Sequence, residues 1–282
     1  MRKNIRAKNL NFALKFATII LVQVASVLAM LSQSDFKIIG GVVLMGFINA
    51  HAIQVIHQCI HYMGFRNKIL NDLAGNFLSF PVMIDFYSYR KEHFRHHQNL
   101  GTAKNTEFFG FNEIREGISL SKLSLYIFGI AKYSSLVMGC LSKDSAKRNS
   151  SLRVFLFWAM LAILLIVTAP SNVIFYLLIS LVCVTEPLHF FIEMPEHYGC
   201  KSISLEKYEN TRTLKNVSLP MRWYTNWNNF HVEHHLYQWV LPEELHLHHD
   251  SEKSQRFNPA FNSYIEFYSY FIKVTFKQGV SQ

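Results

Sequence analysis

Eight of the fourteen histidines in this chain fall into three short clusters: His57 and His61 in HQCIH, His93, His96 and His97 in HFRHH, and His231, His234 and His235 in HVEHH. Imidazole is a metal ligand, and the spacing suits metal binding. On an α-helix, residues i and i+4 differ by about 40° and share a face, so HxxxH forms a two-toothed clamp. The extra histidine of HxxHH sits about 100° round from its immediate neighbour, which lets one helix address two adjacent metal ions. A zinc site takes roughly four protein ligands at most, so eight imidazoles imply two ions or two separate sites. Ligand type alone leaves zinc, copper, iron and nickel open.

The elements that must position these clusters are membrane helices. The chain has 282 residues, 50% hydrophobic and 15% aromatic, with a formal charge of +9. Apolar runs cover Asn11 to Leu31, Ile38 to Ile56, Val154 to Ala169 and Val173 to Ile192, each long enough to span a bilayer. The first run is interrupted only by Lys15, Gln23 and Ser26, and the breaker Pro170-Ser171-Asn172 separates the last two. The expected fold is therefore an all-α integral membrane protein with four transmembrane helices in two hairpins. Ile69 to Ile84 and Ile118 to Leu141 are apolar but carry Asn71, Asp72, Asn76, Pro81, Lys122 and Lys132, so they read as interfacial helices; a further pair of spans is the alternative.

Basic residues set the orientation. Arg2, Lys3, Arg6 and Lys8 precede the first span, and Lys143, Lys147, Arg148 and Arg153 precede the third, whereas the connections Ser32 to Lys37 and Pro170 to Asn172 hold only Asp35 and Lys37 as charged residues. Both hairpin tips are expected to face away from the cytoplasm, which puts both termini and every histidine box in a cytosolic cap. The first apolar run reads as an uncleaved anchor rather than a signal peptide. Cys59, Cys140, Cys183 and Cys200 form no CxxC pair and suggest reduced thiols. One domain over residues 1–282 is the simplest organisation. The positive charge suits anionic lipid head groups, and no nucleic-acid partner is expected.

A site at the ends of membrane helices is placed to act on apolar chains. Breaking their unactivated C–H bonds calls for a redox metal and oxygen, and iron is the economical choice. The order HxxxH, HxxHH, HxxHH between two hairpins resembles the membrane fatty acid desaturase and hydroxylase superfamily over about residues 49–242. HQCIHYMGFRNKILNDLAG is similar to its first box with the following Asn-Asp pair, SYRKEHFRHHQNLGT to its second, and TRTLKNVSLPMRWYTNWNNFHVEHHLY to its third as found in acyl-lipid desaturases.

The resemblance implies two iron ions, O2 as co-substrate, and a ninth ligand at His197 in PEHYG. Some relatives place an asparagine four residues before that histidine; here the position is Glu193, with three roles open: carboxylate ligand, orienter of His197, or neither. Ligating histidines usually donate their other N–H to a carboxylate or carbonyl. Glu92, Glu196 and Glu233, each directly before a proposed ligand, are candidates for that outer shell, with Asp72, Asp85 and Glu107 nearby in sequence. His189, about 80° off the face of His197, is a further candidate. His51 points about 240° away from the first clamp and reads as a core residue. His246, His248 and His249 read as surface or interfacial. Trp223, Tyr224, Trp227, Phe230, Tyr237 and Trp239 suit either an interfacial belt or a substrate entrance.

The activity so implied is removal of hydrogen from an acyl chain of a lipid, fatty acid or related apolar substrate. The electrons come from a separate carrier of ferredoxin, cytochrome b5 or rubredoxin type. PEHYG, TRT and NFHVEHHL favour desaturation; a hydroxylase, ketolase or epoxidase would use the same ligand set. Gln238 departs from the family's HHLYP. Metal transport is disfavoured because the proposed ligands lie beyond the helix ends instead of at the bilayer midplane.

Overall fold

The computed structural model describes residues 2–105, 120–168, 172–201, 203–250, 253 and 261–278. Glu107, Pro170, Ser171 and the start of the Ile118 to Leu141 stretch lie outside them. The helices in chain order are α1 (Arg2–Met30), α2 (Asp35–Ile60), α3 (Lys68–Ser79), α4 (Phe86–Asn99), α5 (Leu120–Ile127), α6 (Ile130–Cys140), α7 (Ser145–Thr168), α8 (Asn172–Ser180), α9 (Glu186–His197), α10 (Lys207–Asn210), α11 (Leu219–Tyr224), α12 (His231–Leu236) and α13 (Tyr264–Gln278). A π-helical turn, Leu181–Thr185, joins α8 to α9. The described residues contain no strand, only an isolated bridge between Thr213 and Phe230.

Four helices are long and apolar enough to cross a membrane: Asn9–Met30, Asp35–Ile60, Ser145–Thr168 and the run Asn172–His197. These are the four expected spans. The chain forms two compact units, Met1–Arg90 with Leu125–Phe190, and Lys91–Ser124 with Phe191–Gln282.

In the first unit α2 is the central helix, and its sequence explains why. Adding a Cβ at Gly41 would place it 2.7 Å from the Ser26 carbonyl oxygen, and at Gly46 it would lie 2.3 Å from Val184 Cβ, so these glycines allow α1 and the last span to approach closely. The polar interruptions of α1 face this helix. Lys15 donates to Gln58 Oε1 at 3.3 Å, Gln23 donates to Asn49 Oδ1 at 2.9 Å, and Ser26 bonds back to Val22 O. Inside a bilayer such groups need internal partners, and these have them. His51 is fully buried in the same helix, as a core residue should be. Leu21, Leu28, Ile163 and Val167 are exposed on the spans, the arrangement expected against lipid.

The two interrupted stretches form shorter pieces. Residues Ser121–Ile127 and Ile130–Cys140 meet at a bend of 71°, with Gly129 at φ +64°. Eleven helical residues reach only about 16 Å, half of a hydrocarbon core, so α6 alone does not span. Lys132 is neutralised by Glu186 at 2.7 Å, with Tyr133 donating to the same carboxylate at 2.6 Å. All four cysteines are free thiols.

Candidate metal centre

The first box closes α2. His57 and His61 stand edge to face with ring centroids 5.2 Å apart, at the last turn and C-cap of that helix. Asn71 and Asp72 hold this end. Asn71 accepts from Gly64 N and donates to Cys59 O, while Asp72 pairs with Arg90 at 2.7 Å. Arg90 also donates to Cys59 O at 3.1 Å and to Tyr62 Oη at 3.0 Å, and its guanidinium lies 4.0 Å from the Tyr62 ring centroid.

The second box lies on α4, which begins after Asp85. That carboxylate accepts from Ser88 N at 3.0 Å, an N-terminal cap, and from Arg153 at 2.7 and 2.9 Å. Burial alone would raise the Asp85 pKa, but the hydrogen bonds from Arg153 and Ser88 outweigh it and hold the carboxyl below the usual range.

Within the second unit the histidines sort into two groups. His96, His197, His231 and His235 each present one ligand atom, all within 4.8 Å of one another. His93, His97 and His234 present three more on the same criterion. Each HxxHH box is therefore divided: its i, i+4 pair serves one group and its third histidine the other. His93 and His97 go with His234, whereas His231 and His235 go with His96.

The nitrogens converge closely. His97 Nε2 is 2.9 Å from His93 Nε2 and 3.0 Å from His234 Nε2. His231 Nε2 is 3.1 Å from both His197 Nε2 and His235 Nε2, and His235 Nε2 is 3.3 Å from His96 Nε2. Donors about 2.1 Å from a common metal are separated by about 3.0 Å at right angles and about 3.4 Å in a tetrahedron, so these spacings fit coordination edges.

Outer partners fix which nitrogen carries the proton. His96 Nδ1 faces Asn105 Oδ1 at 2.9 Å, and His197 Nδ1 faces the Asn210 carbonyl at 2.9 Å. Asn228 donates through Nδ2 to Glu196 Oε1 at 2.6 Å, which turns its Oδ1 toward His231 Nδ1 at 3.3 Å. The rings of His96 and His197 thus donate from Nδ1 and aim an Nε2 lone pair inward, whereas His231 has an acceptor oxygen beside each nitrogen. Burial drives the pKa of His93 down to about 3, and that of His235 falls well below the usual value through burial and then the neighbouring imidazoles. Neutral lone pairs facing one another repel unless a cation lies between them, so the residues present fit a metal.

The three glutamates that directly precede the proposed ligands have different surroundings. Glu196 Oε2 lies 3.2 Å from His231 Nε2, the inward nitrogen, and so brings an anionic oxygen to the edge of the second group. Glu233, fully buried, accepts from Thr213 Oγ1 at 2.5 Å and pairs with His249 Nδ1 at 2.8 Å. Glu92 forms an exposed pair with Arg95. Glu193 and His189 are half-buried and belong to neither histidine group. His246 and His248 are exposed and stack on Trp227 and Tyr237. Asn226 and Trp227 both adopt positive φ, +50° and +63°, immediately before Asn228. Such backbone costs about 1–3 kcal/mol per residue and clusters at functional sites.

Four helices of membrane-spanning length and two buried histidine groups that could each hold a metal ion define an all-α membrane protein with candidate metal sites. The description "Fatty acid desaturase" matches residues 36–265, and the chain belongs to that family. It is 35% identical over 51 residues to the sn-1 acyl-lipid omega-3 desaturase (ferredoxin) of Nostoc sp. (strain 36). That match covers 18% of this chain and 14% of the relative's length.

Proposed function

We propose that this protein is an O2-dependent, non-haem di-iron oxidoreductase that desaturates the acyl chain of a lipid, fatty acid or related apolar substrate. The observation that carries the reading is the pair of interlaced nitrogen groups, each aiming lone pairs at a common point. Bound iron would supply the redox chemistry, reduction of O2 and removal of hydrogen from an unactivated chain.

The chain's own residues hold and shield that centre. His93, His97 and His234 are the proposed holders of one ion and His96, His197, His231 and His235 of the other, and the family resemblance adds His57 and His61 as proposed ligands. Asn105 and the Asn210 carbonyl keep His96 and His197 in their binding tautomer, and Glu196 adds negative charge beside the second set. The electrons come from a separate carrier, and the ferredoxin in the name of the Nostoc relative favours that type over cytochrome b5 or rubredoxin. The basic flanks of α1 and α7 support cytosolic termini and histidine boxes.

Expression in a host with simple lipids, followed by lipid profiling, tests this reading. Aerobic cultures should accumulate a new unsaturated acyl chain that anaerobic cultures lack. An alcohol instead would assign a hydroxylase, and identical profiles would overturn the oxygen-dependent reading.

A further inference from the structure

The tripeptide Thr211-Arg212-Thr213 belongs to neither histidine group, yet it bonds to two of the three helices that carry the second one. At the end of α9, Arg212 Nη1 donates to Pro195 O at 2.7 Å and to Tyr198 O at 2.9 Å, its backbone N–H donates to Glu196 O at 2.8 Å, and Thr211 Oγ1 donates to the same carbonyl at 3.2 Å. These are the carbonyls that a helix leaves without N–H partners, and a buried guanidinium also suits the negative end of its dipole. Gly199, at φ +75°, ends the helix just beyond. One residue further along, Thr213 Oγ1 accepts from Val232 N at 3.3 Å in the first turn of α12 and donates to Glu233 on that helix. The bridge between Thr213 and Phe230 and the bond from Leu214 N to Asn229 O at 2.8 Å extend this attachment.

We propose that Thr211-Arg212-Thr213 is a positioning clamp that sets the register between the helix end bearing His197 and the helix bearing His231, His234 and His235. The proposal rests on the di-iron reading. Its two halves have separable effects. Arg212 donates its hydrogen bonds to the end of α9, which carries His197 of the second histidine group. Thr213 fixes α12, whose histidines are divided between both groups.

The test uses the full chain in detergent, reconstituted anaerobically with iron(II), with iron stoichiometry and Mössbauer spectra recorded for each variant. The unaltered protein should load two irons. Arg212→Met should weaken one site at least about tenfold and change one iron environment, leaving the other as it was. Thr213→Val should change both environments, and Thr213→Ser, which restores the hydroxyl, should return the original spectrum. Should Arg212→Met fail to fold, Arg212→Lys supplies the same single-environment readout. Unchanged spectra in the Met and Val variants, or the same change in both, would overturn the clamp. Failure of the unaltered protein to bind iron would instead overturn the di-iron reading.

Discussion

Tyr268 donates its hydroxyl to the carbonyl of Phe191, the acceptor that Pro195, four residues on, cannot serve because proline has no N–H. The α13 side chain thereby replaces the missing helical bond in α9, two residues before His197, and its ring packs edge to face on Phe191 at 5.2 Å.

Tyr268→Phe keeps that packing and removes the donor. It should destabilise the protein by about 1–3 kcal/mol, the cost of leaving a polar group unmatched, read as a lowered Tm in detergent. Unchanged thermal unfolding would mean that another donor serves the Phe191 carbonyl.

Arg90 and Asp72 form a pair in which Arg90 is the more buried partner, with side-chain exposures of 8% and 24%. Arg90→Met should cost about 3 kcal/mol, since it strands Asp72 and also the Cys59 carbonyl. Asp72→Asn should cost less, because the amide still accepts from Arg90. Denaturant unfolding of the two variants measures the difference, and equal losses would refute the ordering.

Replacing His93, His97, His197 or His235 by alanine should abolish turnover and lower metal content while membrane insertion persists. His246→Ala should retain activity, because that ring is exposed and stacks on Trp227 at 5.2 Å. Membrane fractionation with metal analysis separates loss of the site from loss of the protein.

Acid should destabilise the metal-free protein. His93 has an ordinary pKa of 6.5 unfolded and about 3 folded, so the unfolded chain binds the proton first. Stability is full above pH 6.5 and falls as pH drops toward 3, the sign expected for a histidine buried in its neutral form. A melting series across this window checks it, and a Tm that rises on acidification would contradict the burial.

The sequence made some of this legible and hid the rest for physical reasons. Helical spacing foretold that an HxxHH helix can present its histidines to two places, because 3.6 residues per turn fix where His93, His96 and His97 point, and the box does divide between two groups. The outer partners were not legible. His197 is held by the backbone carbonyl of Asn210, and a carbonyl leaves no trace in the choice of residue. Asn105 and Asn228 depend on turns, the latter on two consecutive left-handed residues. The Asn-Asn pair before His231 was the available signal, masked by the ordinary taste of asparagine for turns. Glu196 lies beside a histidine of a distant segment, His231, a pairing set by the fold and not by its place in the sequence. Four spans followed from apolar length, whereas the close approach at Gly46 depends on a partner, Val184, far away in the chain.

The divided boxes mean that α4 and α12 act like two meshed gears. Rotating either one displaces histidines of both groups together, so neither group can be adjusted alone by turning a helix. Under the proposed function, variation that changes the choice of substrate is expected on the walls around the two groups, while α4 and α12 stay locked in phase.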